Sequence, residues 1–205
     1  MREPNYCQEP SAENARNTRL VIELVDASRL AQLSLDPGLD NFRPASRQKE
    51  RLLELRANSP GTMAVARVDD TVVGYFILFA PDKEEFWGAY RGPELLEASL
   101  EVSSGWRGQD LAATMTRRIA REDWEDYILM ASCCYWNWDL RRTGLSPYTY
   151  RRILVRILSH LELKEHPTVE PDICSHPVNL FLLRIGSRVP DHARQAFLAL
   201  CEGRT

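Results

Sequence analysis

No stretch of this 205-residue sequence approaches 18 consecutive apolar residues, so nothing in it reads as a membrane-spanning helix. It has no C-x-x-C pair, and its cysteines are odd in number: Cys7, Cys133, Cys134, Cys174 and Cys201. That argues against a disulfide framework and a zinc ribbon. Cys133, Cys134, Cys174 and His176 are the best set of metal ligands on offer. Buried cysteines commonly behave as small hydrophobes, however, and no metal is expected. Basic residues are not in surplus, with 26 Lys and Arg against 29 Asp and Glu. A nucleic-acid binder usually carries such a surplus, so no nucleic-acid partner is expected. There is no internal repeat and no linker rich in Gly and Ser. The polar stretch from Met1 to Thr18 lacks the apolar core of a signal peptide. These absences lead us to expect a cytoplasmic protein with a polar tail over residues 1–18 and one domain over residues 19–205. Apolar residues at 44% and charged residues at 27% are ordinary for a soluble globular chain, which at this length can bury a sizeable core.

Patterning supplies the elements. Leu20 to Val25 suits a first strand. Residues 28–35 and Ser46 to Arg56 read as helices, the first stopped by Asp36-Pro37-Gly38. Thr62 to Val68 and Thr71 to Phe79, joined by Asp69-Asp70, read as a hairpin, its second arm rich in β-branched and aromatic residues. Leu95 to Val102 is a strand and residues 108–122 a helix, with Leu111, Met115 and Ile119 four apart on one face. Tyr127 to Cys133 is apolar enough for a strand covered on both faces. Residues 148–161 form the strongest helix, with Tyr150, Ile153, Leu154, Ile157, Leu158 and Leu161 toward the core and Arg151, Arg152 and Arg156 off that stripe. Asn179 to Ile185 and Asp191 to Leu200 read as further helices. The whole is an α/β fold, a mixed central sheet flanked by helices with a parallel strand–helix–strand unit in its middle.

Chemistry concentrates at residues 100–112. A strand ends near Val102, a small polar loop containing Gly105 and Gly108 follows, and a helix begins near Gln109. The amides opening a helix lack intrahelical acceptors, and the helix dipole adds partial positive charge. The arrangement suits an anion such as a pyrophosphate, with Gly108 allowing close main-chain approach. An ordinary strand–helix connection has the same composition.

The six residues Arg107, Gly108, Gln109, Asp110, Leu111 and Ala112 resemble motif A of the GNAT acetyltransferase superfamily, R/Q-x-x-G-x-G/A. Val73-Gly74-Tyr75 resembles the hairpin that precedes that motif. The resemblance implies a GNAT fold in which a splayed parallel strand pair holds acetyl-CoA. The turn's amides would take the pyrophosphate, and Glu101 to Ser103 would pair with the pantetheine arm. Asp110 departs from the motif, which has Gly at that place. A carboxylate about 6 Å from a pyrophosphate costs roughly 1–3 kcal/mol at an effective dielectric near 20 to 40, less if the side chain points outward. The runs Cys134-Tyr135-Trp136-Asn137-Trp138-Asp139-Leu140, Ser175-His176-Pro177-Val178-Asn179, Arg184-Ile185-Gly186 and Asp40-Asn41-Phe42-Arg43-Pro44 resemble the acetoin-utilization acetyltransferase family (AcuA), with Asn137 where that family has His. This second resemblance implies a protein lysine acetyltransferase that acts on acetyl-CoA synthetase and switches it off. A small-molecule amine acetyltransferase and a weakly catalytic regulator that inhibits the synthetase by binding it are the alternatives.

Acetyl transfer needs a base, an oxyanion donor and an acid for the leaving thiolate. Glu101 is the expected base, because Leu100 and Val102 should face the opposite side of the sheet. Glu97 shares its parity and is the reserve. A solvated or salt-bridged strand glutamate is the plain alternative for Glu101. The superfamily resemblance implies that the Val102 amide polarises the thioester carbonyl. It also implies that Asn179 stands beside the coenzyme at the start of the last helix, where it would serve equally as an N-cap. Tyr135 and His176 are candidate acids or packed residues. Trp136, Trp138 and Asp139 either pack beneath the following helix or form a wall for a lysine stem, with Asp139 drawing its ammonium.

Overall fold

The computed structural model describes residues 19–204; the expected tail from Met1 to Thr18 and the final Thr205 lie outside that range. The β-rich segments build one eight-stranded mixed sheet among the described residues. Its strands are β1 (Leu20–Leu24), β2 (Ser34–Leu35), β3 (Met63–Val68), β4 (Thr71–Phe79), β5 (Leu95–Val102), β6 (Ile128–Cys133), β7 (Lys164–Glu165) and β8 (Leu180–Ile185). They lie in the order β1-β3-β4-β5-β6-β8-β7, with β2 pairing beside β4. The helices are α1 (Ala27–Gln32), α2 (Ala45–Asn58), α3 (Leu111–Ile119), α4 (Leu140–Thr143), α5 (Pro147–Leu158), α6 (Pro171–Cys174) and α7 (Asp191–Cys201). Helix α5 starts where its sequence directs it. Ser146 accepts a hydrogen bond from the Thr149 amide and Pro147 fills the first turn.

One pairing matters most. β5 and β6 are parallel, and they bond only from Leu95–Ile128 to Glu97–Met130. Beyond that point each strand keeps its outer partner. β5 follows β4 as far as Val102–Gly74, and β6 follows β8 as far as Cys133–Leu180. The pair therefore splays into a wedge-shaped gap in the middle of the sheet, as the superfamily resemblance implies.

Both faces of the sheet are covered. Met115 and Ile119 of α3 and Leu154 and Leu158 of α5 pack on Phe76, Leu78, Leu96 and Leu129. The other face carries two separate clusters. Leu30 and Leu52 cover Val65, Tyr75 and Ile77 on one half. Phe197 and Leu200 of α7 cover Ile128, Met130 and Phe181 on the other. Each large apolar side chain so buried contributes about 1.5–3 kcal/mol. Glu97, Ser99 and Glu101 belong to neither cluster, and stand on β5 between them.

Residues 180–185 form the strand β8 and not the expected helix. The run Leu180–Leu183 is apolar without a break and buried throughout. Such a run carries no period to separate a strand from a buried helix. Asn179 consequently opens no helix. The helix expected over residues 28–35 ends at Gln32, and Ser34–Leu35 add a short parallel strand against Thr71–Val72. Ile153, read as core-facing, is 41% exposed.

Candidate active site

The gap between β5 and β6 opens a cavity of about 920 Å³ that residues on both sides of the sheet line. On one side stand Gly108, Leu111 and Ala112 of the turn with Tyr150, Ile153 and Ile157 of α5. On the other stand Glu97 and Glu101 of β5, Gln48 and Arg51 of α2, and Asp82 and Glu85 of the loop after β4. The volume suits a ligand of cofactor size.

The turn is built to receive an anion. Among the described residues, none of the main-chain amides from Arg107 to Ala113 has a protein acceptor. Gly108 takes φ +79° and Asp110 φ +56°, and a side chain at Gly108 would meet no protein atom within 4 Å. These donors and this open approach fit a pyrophosphate. The left-handed backbone at residue 110 gives a conformational reason for Gly at the motif's fourth place, and Asp is among the few side chains that tolerate it. The Asp110 carboxylate leans back along α3, exposed and paired with Arg117 at 2.7 Å. Asp110 is also among the residues that line the cavity. Gln109 is exposed, Leu111 is buried under the turn and Ala112 lines the cavity.

Val102 and Ser103 differ in role. The Ser103 amide bonds to the Val73 carbonyl on β4, so the Val102 amide, one residue earlier, points to the opposite edge and into the gap. Ser103 is buried, and its hydroxyl donates to Asp36 at 2.7 Å. Arg107 turns back on the protein, donating from Nε to the Val102 carbonyl at 3.2 Å and from Nη1 to Asp139 at 2.7 Å.

The aromatic segment divides. Trp138 is buried and stacks on Tyr150, with centroids 5.3 Å apart, whereas Trp136 is 50% exposed. Asp139 caps α4, bonds the Arg142 amide and pairs with Arg107. Burial pushes its carboxyl up, but the hydrogen bonds from Arg107 and the Arg142 amide outweigh that and hold it below the usual range. Tyr135 and His176 pack together 4.4 Å apart. Asn179 accepts from the Tyr135 amide at 2.8 Å and donates to the Asp172 carbonyl at 2.7 Å. Tyr135, His176 and Asn179 form one cluster at the ends of β6 and β8, and none of the three is among the residues lining the cavity. The phenol that does line it is Tyr150, which sequence periodicity assigns to the core.

Glu101 is buried at the end of the gap with both oxygens engaged. Oε1 accepts from the Asn41 amide at 2.8 Å and Oε2 from the Tyr75 hydroxyl at 3.0 Å. Burial pushes its carboxyl above the ordinary range, although those two hydrogen bonds favour the charged form. Glu97, four residues earlier on the same face, is pushed up to about 8 by burial and by Glu85 and Asp82 beside it. Burial also pushes the Cys133 and Cys134 thiols up to about 12, which leaves no thiolate in the cavity at neutral pH. Among the described residues no group of three or more His, Cys, Asp or Glu is arranged to hold a metal ion. No described helix is long and apolar enough to cross a membrane.

No family model matches the chain. The acetoin utilization protein AcuA of Bacillus subtilis (strain 168) is 31% identical over 187 residues, which cover 90% of this chain and 89% of that one. The AcuA protein of Bacillus licheniformis is 30% identical over 175 residues, covering 84% and 83%. The crystal structure of an acetoin utilization protein from Exiguobacterium sibiricum matches with a TM-score of 0.83 and 34% identity over 89% of each chain. A GNAT phosphinothricin acetyltransferase from Sinorhizobium meliloti, solved with acetyl-CoA, shares the fold at a TM-score of 0.50 and 15% identity, over 82% of this chain and 89% of that one. Related over most of its length to these acetoin utilization proteins, the chain belongs to the AcuA family and has the fold of the GNAT acetyltransferases.

Proposed function

We propose that this chain is a cytoplasmic protein lysine N-acetyltransferase that acetylates, and so inactivates, acetyl-CoA synthetase. The observation that carries the reading is the passage through the sheet. An amide-lined turn stands at one mouth, and Glu101 and Glu97 stand at the other. A donor bound along the turn and a cationic amine arriving from the opposite side would meet in the gap. The carboxyl groups of Glu85, of Glu97 and of Asp82, which pairs with Arg51, and the apolar Ile77, Leu52 and Phe79 at that second mouth suit an amine on an aliphatic stem. The choice of synthetase rests on the family resemblance.

In this reading Glu101 removes the ammonium proton, breaking an N–H bond and forming O–H on its carboxylate. The turn amides and Gly108 hold the pyrophosphate, and the Val102 amide donates to the developing oxyanion. When bound, acetyl-CoA supplies the thioester carbonyl that the amine nitrogen attacks, with loss of the thiolate. The acylated nitrogen then loses its second proton while the sulfur gains one, and Tyr150, which lines the cavity, is the hydroxyl we assign to relay that proton. Exposed Trp136 and Phe42 suit the docking of a protein surface.

Mass spectrometry of acetyl-CoA synthetase incubated with this protein and acetyl-CoA tests the reading. One lysine should gain an acetyl group, and Glu101→Gln should slow that gain by about 10² to 10⁴. Tyr150→Phe should slow it without loosening the coenzyme. Acetylation of free small amines with none on the synthetase would overturn the protein-substrate reading. A complex with no mass gain would leave only inhibition by binding.

A further inference from the structure

We infer that Tyr75 and Gln48 are positioning residues for Glu101, a hydrogen-bond chain that sets the carboxylate's basicity and reverses direction when Glu101 takes up a proton. The inference rests on the reading of Glu101 as the base.

The chain runs through three elements. Gln48 of α2 donates from Nε2 to the Tyr75 hydroxyl at 2.6 Å, and Tyr75 of β4 donates to Glu101 Oε2 at 3.0 Å. Gln48 and Glu101 are each only 4% exposed and Tyr75 is fully buried. Gln48 Oε1 is buried and has no partner among the described residues. Burying an amide with one open group is unfavourable, so this glutamine is a poor choice for packing alone.

Counting protons explains the choice. Tyr75 has one hydroxyl hydrogen. While Glu101 is ionised that hydrogen must point to the carboxylate, and the Tyr75 oxygen then needs a donor, which Gln48 Nε2 supplies. Once Glu101 holds the proton from the substrate ammonium, its own O–H can point at Tyr75. The Tyr75 hydrogen then turns toward residue 48, which must offer an acceptor. An amide can do both, by a half-turn about its last torsion. The partnerless Oε1 is the atom the reversed chain uses. A methyl or methylene at that place would serve neither state.

Charges also face this carboxylate. Asp40 raises its proton affinity and Arg107 lowers it, Arg142 of α4 feels it, and Arg43 acts on Tyr75. All four act through space, and none needs the amide at residue 48. Substitutions at residues 48 and 75 therefore isolate the chain.

The test is the pH dependence of kcat/KM for the parent, Tyr75→Phe, Gln48→Met and the double variant. Both changes remove help for the ionised carboxylate, so the acid limb moves to higher pH. Tyr75→Phe should raise its midpoint by roughly 1 to 2 pH units, the worth of one hydrogen bond to a charged group. Gln48→Met should raise it by less, because Gln48 serves both states. The double variant should match Tyr75→Phe, because residue 48 acts only through Tyr75. In infrared difference titrations, the side-chain amide band lost in Gln48→Met should move in step with the carboxyl band lost in Glu101→Gln. Unmoved midpoints, additive shifts or a static amide band would overturn the chain and leave the base intact. A Glu101→Gln protein that keeps the parent rate and acid limb would instead overturn the base reading itself.

Discussion

The two mouths of the passage are built in opposite ways. At the turn a ligand meets main chain: amides from Arg107 to Ala113, unpartnered among the described residues and supplied by one short segment. At the other mouth it meets side chains gathered from far apart. Asn41 and Glu101 are 60 residues apart in sequence, and Gln48 and Tyr75 are 27 apart. Main-chain recognition of an anion needs a local conformation, and a local conformation leaves a mark in sequence. Recognition and deprotonation of a cation need a buried carboxylate whose supports can come from anywhere in the fold.

The contrast is sharpest at Gly108. Gly108→Val puts a branched side chain at φ +79°, where L-residues lose about 1–2 kcal/mol. Its Cβ meets no protein atom, so any further loss belongs to the ligand. Calorimetry should show acetyl-CoA binding weakened by at least about tenfold, or about 1.4 kcal/mol. Unchanged affinity in the folded variant would mean that the turn is not the coenzyme's seat.

Asp110→Asn should do less. The carboxylate is exposed and already paired with Arg117, so its removal should tighten coenzyme binding by under about fivefold, the range of an exposed ion pair. A larger gain would show that the carboxylate faces the phosphates after all. Asp110→Gly should exceed Asp110→Asn, because Gly also relaxes the left-handed backbone.

At the acidic mouth the effect is on stability and is smallest at low pH. Burial raises the Glu97 carboxyl from 4.5 to about 8. Between those values the folded state holds a proton that the unfolded state has released, so stability falls as pH rises through the window and levels off above it. Glu97→Gln escapes that loss. Thermal unfolding should show its advantage over the parent growing from about pH 5 to pH 8 and then holding constant. An advantage that is flat with pH would mean that Glu97 stays ionised in the fold.

How much was legible in the sequence follows the same division. Leu95–Val102 reads as a strand with the observed bounds, because its ends are marked by Pro93 and the polar loop. The turn reads as an anion site for the same local reason. The strand β8 does not read as a strand, because Leu180–Leu183 is covered on both sides and loses its alternation. Asp110 reads as a misplaced charge, since sequence shows the charge but not the φ angle that explains the place. Tyr75 is visible as one aromatic among many in β4. Nothing in its neighbours announces a hydroxyl between Gln48 and Glu101, because both partners arrive by tertiary packing.

One set of ion pairs joins the two mouths. Arg107 holds Asp139, Arg142 lies against Asp139, and Arg142 also holds Asp40, the neighbour of Asn41 whose amide steadies Glu101. Were an anion to draw Arg107 forward, Asp139 would be left to Arg142 and the claim of Arg142 on Asp40 would loosen. The order in which two substrates fill such a passage is then a matter of bookkeeping around a closed cycle. Whatever free energy the first to bind lends the second, the second returns to the first in equal measure.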